Sequence, residues 1–119
     1  MKITKVETLI VRIPMLDRFG GQKSGPATLA GGLYHFEKEW NEVHPTVSQC
    51  VLVRIETDDG IHGWGECQAP IVPETARAII DQLLGPMILG VDPHATNFIW
   101  NKMYRSMAGR GTHVQPGPQ

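Results

Sequence analysis

Residues 48–67, SQCVLVRIETDDGIHGWGEC, decide the fold. From Val51 onward, apolar and polar residues alternate along the chain, which is the period of a half-buried β-strand. The pair Asp59-Gly60 follows and can supply the positive φ angles of a tight two-residue turn. A second run of strand-forming residues comes directly after that turn. The stretch therefore predicts a β-hairpin.

The two-residue turn also predicts the register of the hairpin. Ile55 then lies opposite Trp64 and Val53 lies opposite Glu66, and directly opposed residues share a face of the sheet. Trp64 is thus expected on the apolar face, with Glu66 ending the strand on that same face. A carboxylate there needs a partner. Either Glu66 reaches water at the strand end, or it meets a second domain.

The same register has consequences for the glycines and cysteines of the hairpin. Gly63 and Gly65 fall on the opposite face from Trp64, where another group could approach the backbone closely. Cys67 lies diagonally to Cys50, at a separation of roughly 7 Å or more that exceeds comfortable disulfide geometry. We expect both cysteines to be free thiols, packed as small hydrophobic residues.

Composition limits the class of protein. The chain has 119 residues, of which 41% are hydrophobic, and a net charge of −1, so we expect one globular domain. No cluster of lysines and arginines provides a footprint for nucleic acid or an anionic membrane. Charged residues interrupt the apolar N-terminus, so it predicts neither a signal peptide nor a membrane span. We expect a cytoplasmic protein.

The first strand is predicted at Ile3–Ile13, because β-branched residues dominate it and Pro14 stops it. Lys5 and Glu7 are odd-numbered like Leu9, so a regular strand would place their side chains on the same face as that of Leu9. Either the first half of the strand is more exposed to water than the second half, or a bulge exchanges the two faces of the strand.

A long loop is predicted from Met15 to Pro45, where regular periodicity is lost and glycines are frequent. Its glycines do not have the spacing of a nucleotide-binding turn. Either the loop packs on its own domain, or it is a flap that docks on something else through four aromatic residues, Phe19, Tyr34, Phe36 and Trp40.

Two helices follow the hairpin. The first begins at Pro73 and is expected to stop at Gly85-Pro86. The second is expected to begin at Asp92-Pro93, an N-cap followed by proline, and to end at Gly109. Its predicted buried face comprises Ile99, Trp100, Met103, Tyr104 and Met107.

The residues by themselves yield no catalytic or metal site. The five histidines lack zinc-ligand spacing, and Ser24 and Ser48 lack the glycines of a nucleophile elbow. The pattern predicts an α+β fold, in which a three-stranded antiparallel sheet is followed by a small helical bundle.

At this point the chain resembles a known family. The resemblance is most specific in two parts of the chain. The first is Thr57-Asp58-Asp59-Gly60 with Gly63-Trp64-Gly65-Glu66, and the second is Leu84-Gly85-Pro86 leading into Gly90-Val91-Asp92-Pro93. Their order is similar to the N-terminal capping domain of the mandelate racemase/muconate lactonizing enzyme family of the enolase superfamily. The resemblance covers residues 1–113 and leaves 114–119 as an irregular tail, where the link to a barrel would begin.

The resemblance implies an enzyme in which this unit caps a C-terminal (β/α)-barrel, the expected partner. Barrel residues would abstract a proton next to a substrate carboxylate while Mg²⁺ stabilises the intermediate. No cofactor is expected in this chain. It lacks a barrel, so we expect a truncated, inactive chain that self-associates. The loop that would help to choose the substrate is Phe19, Gly20, Gly21, Gln22 and Lys23.

The expected parent reaction is acid-sugar dehydration by a lyase, with racemisation or cycloisomerisation by an isomerase as its rival. An alternative is a free-standing α+β module that binds a small ligand or protein with its glycine-rich flap. A capping domain is expected to expose apolar surface and to associate when alone. A true module is expected to be monodisperse.

Overall fold

The computed structural model describes residues 1–14, 28–37 and 42–106. The architecture is α+β, as predicted. The elements are β1 (Ile3–Pro14), β2 (Thr28–Leu29), a 3₁₀ turn (Ala30–Gly32), β3 (Tyr34–Glu37), β4 (Glu42–Pro45), β5 (Val47–Thr57), β6 (His62–Gln68), α1 (Pro73–Ile79), a π-helical turn (Ile80–Leu84), α2 (Gly85–Ile88) and α3 (Thr96–Ser106). A main antiparallel sheet has the strand order β1-β5-β6, and a small antiparallel sheet has the order β2-β3-β4.

Strand β1 contains a bulge, but it lies before Lys5 and so does not separate Lys5 and Glu7 from Leu9, as the parity had suggested. Ile3 pairs with Thr57, whereas Lys5 already pairs with Glu56, so Thr4 is an extra residue. The bulge turns Ile3 toward the helices, where it is buried. The odd-numbered residues after the bulge, Lys5 among them, lie on the opposite face.

The predicted register of the β5–β6 hairpin was wrong by one residue. The loop contains three residues, Asp58–Gly60, and is closed by a hydrogen bond from the Thr57 amide to the Ile61 carbonyl, 2.9 Å long. Gly60 has a φ of 85°. A three-residue hairpin loop commonly ends in a left-handed glycine, so the Asp-Gly pair is compatible with this loop as well as with the shorter one.

The shift by one residue exchanges the two faces of β6. Trp64 lies opposite Arg54, and Glu66 lies opposite Leu52. Neither residue joins the apolar face, contrary to the prediction. Gly63 and Gly65 lie on the helix side instead, opposite the half-buried residues of β5.

Both cysteines are free thiols, as predicted. The geometric reason differs from the predicted one. Cys67 pairs with the fully buried Val51, whereas Cys50 pairs with Gln68. Cys50 and Cys67 therefore project from opposite faces of the main sheet.

The prediction of an irregular loop was wrong for the part of residues 15–45 that the structure describes. Strands β2, β3 and β4 form a sheet there, with Tyr34 opposite Pro45 and Leu29 opposite Tyr34. The Thr46 hydroxyl donates to the Gly32 carbonyl at 2.6 Å and fixes the 3₁₀ turn beside this sheet. Strands of two to four residues are too short to show a period of two. Phe19–Lys23 and Trp40 lie outside the described residues.

The first helical segment continues through Gly85-Pro86, where it was expected to stop. Residues Ile80–Leu84 form a π-helical turn in which the Gly85 amide donates to the Ile80 carbonyl. This wider turn accommodates Pro86, which has no amide hydrogen, and α2 then ends at Ile88. A Cβ atom at Gly85 would lie 2.9 Å from the Ile80 oxygen and 3.4 Å from Val6. The helix therefore approaches β1 closely at this glycine.

The second helix, α3, begins at Thr96 and not at Pro93. Asp92 instead caps a turn, in which its carboxylate accepts the His94 amide at 2.9 Å. This hydrogen bond is the main cause of the lowered pKa of Asp92. Ile99, Met103 and Tyr104 are half-buried as expected, but Trp100 is largely exposed. Met107 and Gly109 are outside the described ranges.

The core lies between the main sheet and the helices. Val51 has no exposed surface, and Ile3 and Ile88 are also buried. The Ile3 amide donates to the Val91 carbonyl at 2.9 Å, so the end of the helical segment is joined to the start of β1. No helix within 1–14, 28–37 and 42–106 is long and apolar enough to cross a membrane.

Candidate functional site

The two faces of the main sheet have different environments. The helices lie on one face, where the Thr8 hydroxyl donates to Asp81 at 2.7 Å and Gly85 approaches Val6. We call the other face the open face. Its cross-strand rows are Lys5–Glu56–His62, Glu7–Arg54–Trp64, Leu9–Leu52–Glu66 and Val11–Cys50–Gln68.

Large apolar side chains on the open face are exposed to solvent. Trp64 is 59% exposed, Leu9 is 53% exposed and Ile13 is 58% exposed. They form part of one surface, because β1 and β6 both pair with β5. An apolar surface bordered by charged residues is typical of a contact with another protein domain.

A cluster of ion pairs borders the open face near the hairpin loop. Arg54 Nη1 lies 2.6 Å from Glu56 Oε2 and 3.4 Å from Glu7 Oε1, and Lys5 Nζ lies 3.2 Å from Glu7 Oε1. The hydrogen bond from Arg54, followed by its charge, lowers the pKa of Glu56. These four side chains satisfy one another, and Trp64 lies directly beside them in the row of Arg54.

A pocket of about 440 Å³, whose lining includes several polar side chains, borders the opposite end of the open face. Desolvation, followed by the charge of Glu66 and a hydrogen bond to it, raises the pKa of the Cys50 thiol. A protonated thiol is a poor nucleophile, so Cys50 does not have the properties of a catalytic cysteine. The lining residues are His44, Pro45, Ser48, Gln49, Cys50, Glu66, Gln68 and Pro70.

The two interface candidates from the sequence, Trp64 and Glu66, lie two residues apart on the same face of β6. Both are exposed. Their contact with a second domain stays a prediction. The candidate substrate loop, Phe19–Lys23, is not among the described residues.

No metal site is evident in the described part of the chain, which contains no group of three or more histidine, cysteine, aspartate or glutamate side chains able to hold an ion. Asp58 does not face His62 or Glu66. Its carboxylate accepts the Lys2 amide at 3.0 Å and so ties the hairpin loop to the N-terminus.

A polar network, buried at Tyr34 and Gln49, joins the small sheet to the main sheet, and the sequence did not predict it. The Tyr34 hydroxyl accepts hydrogen bonds from the Gln49 side-chain amide at 3.1 Å and from the Val72 backbone amide at 2.6 Å. Arg12 Nε donates to Gln49 at 2.7 Å, and its Nη2 donates to Glu74 at 2.6 Å. The only feature of the sequence that pointed to this network was Tyr34, an aromatic residue in the segment 15–45, which lacks periodicity.

Comparison with known proteins identifies the family. The mandelate racemase / muconate lactonizing enzyme N-terminal domain family matches residues 37–114, more than half of the chain. The chain is 41% identical over 61 residues to D-galactarolactone cycloisomerase from Agrobacterium fabrum. It is 43% identical over 66 residues to D-galactonate dehydratase from Verminephrobacter eiseniae. These alignments include 51% and 54% of this chain but only 15% and 16% of the two relatives.

Solved structures share the fold. A member of the enolase superfamily from Agrobacterium tumefaciens aligns with a TM-score of 0.77 and 29% identity, over 93% of this chain and 29% of that protein. A family protein from Roseovarius nubinhibens, solved with magnesium, shares the fold with a TM-score of 0.59 and 24% identity, over 92% of this chain and 24% of that protein. The chain therefore belongs to the mandelate racemase/muconate lactonizing enzyme N-terminal domain family of the enolase superfamily.

Proposed function

We propose that this chain is the capping domain of a larger, Mg²⁺-dependent enolase-superfamily enzyme that acts on a carboxylate substrate. The observation that carries the proposal is the family match, taken together with the small share of the relatives' length that the chain spans. The groups that react with substrate and hold the metal would then lie in a C-terminal barrel. This chain would bind the barrel and help to enclose the substrate.

The open face is the surface that fits the barrel best. Trp64 offers a large apolar side chain that no described helix covers. Glu66 offers a carboxylate whose charge could be paired across a domain boundary. A buried, paired carboxylate at such a boundary would set the orientation of the two domains.

The segment Phe19–Lys23 is proposed to contact the substrate when the cap is closed. Lys23 carries the positive charge that a carboxylate substrate requires, and Gln22 offers both a donor and an acceptor for sugar hydroxyls. Enclosing the substrate excludes water and strengthens the electrostatic interactions that stabilise a dianionic intermediate. In this family the metal would supply much of that stabilisation.

Dehydration of an acid sugar is the proposed reaction. The relatives include D-galactonate dehydratase, which supports it, but they also include D-galactarolactone cycloisomerase. Isomerisation therefore stays the rival. The choice depends on the bases in the barrel, because the capping loop affects only which substrate is held.

The test is a chimera in which this chain replaces the corresponding N-terminal domain of the Verminephrobacter dehydratase. We expect the chimera to turn over D-galactonate, and we expect no turnover by the dehydratase barrel without any cap. Lys23→Met in the chimera is expected to raise KM about tenfold, as lost charge-assisted hydrogen bonding predicts. Lys102→Met is the control, since Lys102 lies on α3 above the Phe98 ring.

A correctly folded chimera that does not turn over D-galactonate would contradict the capping proposal. The alternative, a free-standing binding module, would gain support if the isolated chain were strictly monomeric. We expect instead that the isolated chain self-associates, because its open face exposes several large apolar side chains.

A further inference from the structure

Val72 has a backbone conformation that its chemistry disfavours. Its φ is 48° and its ψ is 67°, which is the left-handed region. This region is unfavourable for a β-branched residue. Pro73 follows directly, and a residue before proline favours extended conformations. The side chain is 44% exposed, so burial does not account for this conformation.

Two buried side chains hold the segment Pro70–Val72 at both of its ends. The Gln49 side-chain amide donates to the Pro70 carbonyl at 2.8 Å, and the Val72 amide donates to the Tyr34 hydroxyl at 2.6 Å. Gln49 also donates to Tyr34, so the two side chains form one unit. Tyr34 is 7% exposed and Gln49 is 4% exposed. We call Tyr34 and Gln49 the clamp.

The clamp joins three parts of the fold. Tyr34 belongs to β3 of the small sheet and Gln49 belongs to β5 of the main sheet. The clamped segment leads into α1 and lines an apolar groove of about 530 Å³. Ile71 and Val72 lie on one side of this groove, and Ala76, Ile79 and Leu84 lie on the helical side.

We propose that the clamp holds Pro70–Val72 in one of two conformations and thereby couples the position of the small sheet to the shape of the apolar groove. A left-handed β-branched residue and a pair of neutral hydrogen bonds contribute opposing free energies of similar size. When the Tyr34 hydroxyl is lost or moves away, Val72 relaxes to an extended conformation. Ile71 and Val72 then shift at the edge of the groove. The proposal does not depend on the capping function.

The test is a double-mutant cycle on the full chain with Tyr34→Phe and Val72→Gly. In the wild-type background, Val72→Gly is expected to raise the denaturation midpoint or leave it unchanged, because glycine adopts the left-handed region freely. In the Tyr34→Phe background, the same substitution is expected to lower the midpoint. Glycine then only adds flexibility to a segment that has already relaxed.

Nuclear magnetic resonance gives a second measurement. In Tyr34→Phe, the Cα and Cβ shifts of Val72 are expected to move from left-handed to extended values, and its amide exchange is expected to accelerate roughly threefold to tenfold. Tyr104→Phe, which removes a hydroxyl from α3 instead, should change neither.

Two results would show that the Tyr34 hydroxyl makes only an ordinary hydrogen bond. The first is that the two substitutions change the denaturation midpoint additively, and the second is that the Val72 chemical shifts keep left-handed values in Tyr34→Phe. They would overturn the proposal. If Tyr34→Phe does not fold, the single variant Val72→Gly still decides the matter. A clear fall of its midpoint in the wild-type background would contradict the strain on which the clamp acts.

Discussion

The two faces of the main sheet come from the same three strands but have different surroundings. On the covered face, Val51 has no exposed surface and Gly85 brings a helix against Val6. On the open face, Trp64 and Leu9 are more than half exposed. Alternate residues of one strand thus serve different purposes. The covered face stabilises the fold, and the open face is available for a partner.

The largest expected loss of folding free energy comes from a substitution on the covered face. Val51→Ala should lower the free energy of unfolding by about 2 kcal/mol, because it removes buried methyl groups and leaves a cavity. Leu9→Ala on the open face should cost about 0.5 kcal/mol or less, as for most exposed sites. Urea denaturation of both variants measures the difference. Equal losses would mean that the open face is packed as tightly as the covered face.

A somewhat smaller loss of folding free energy is expected for a substitution at Gly85. Gly85→Ala places a Cβ atom 2.9 Å from the Ile80 oxygen, so the π-helical turn or β1 must move. We expect a loss of about 1–2 kcal/mol, typical of overpacking. Gly63→Ala is the matched control on the same side of the sheet, since no atom lies within 4 Å of its added Cβ. A Gly85→Ala variant as stable as Gly63→Ala would contradict the close approach of the helix to β1.

The smallest expected effect on stability is a pH dependence. A hydrogen bond from its own backbone amide, followed by the one from Arg12, lowers the pKa of Glu74 below its ordinary value of 4.5. A lowered pKa in the folded state stabilises the fold above the unfolded-state pKa, and this contribution is lost as the pH falls through the folded-state value. Glu56 has a lowered pKa as well, with Arg54 as its cause.

We therefore expect the midpoint of wild-type denaturation to fall between pH 6 and pH 3, and to fall less in Glu74→Gln and in Glu56→Gln. Thermal denaturation at a series of pH values measures this. Glu74 joins α1 to β1, whereas Glu56 pairs within β5. Glu74→Gln should therefore have the larger effect at neutral pH, and the reverse order would mean that the ion pairs of the open face contribute more to the fold.

Much of the fold could be predicted from local patterns. Alternation located β1, β5 and β6, but the shared parity of Lys5 and Leu9 pointed to a switch of faces between them that β1 does not contain. The error in register arose because Asp59-Gly60 fits two loop lengths. Thr57 selects the longer loop, since its hydroxyl bonds both Asp59 and the Ile61 carbonyl. A side chain that closes a loop is visible only once the loop has formed.

The helix boundaries and the small sheet could not be predicted for related reasons. Gly85-Pro86 usually ends a helix, but here close packing against Val6 favours continuation through a π-helical turn. Tyr34 connects β3 to the main sheet, and its partners Gln49 and Val72 are distant in the sequence. Trp64 and Glu66, the candidates for an interface, were assigned to the wrong face because of the same error in register. Their partner stays a prediction.

The two free cysteines test the docking of the open face most directly, because Cys50 lies on the open face and Cys67 lies on the covered side. Alkylation of Cys50 by iodoacetamide is measured in Cys67→Ser, and alkylation of Cys67 in Cys50→Ser. Each is measured in the isolated chain, diluted until it is monomeric, and in the chimera, after conversion of the chimera's other cysteines to serine. If the barrel covers the open face, Cys50 should react at least about tenfold more slowly in the chimera, since reactivity requires access. Cys67 should react at nearly the same rate in both. Slowing of Cys67 alone, or of neither cysteine in a folded and active chimera, would contradict docking through the open face.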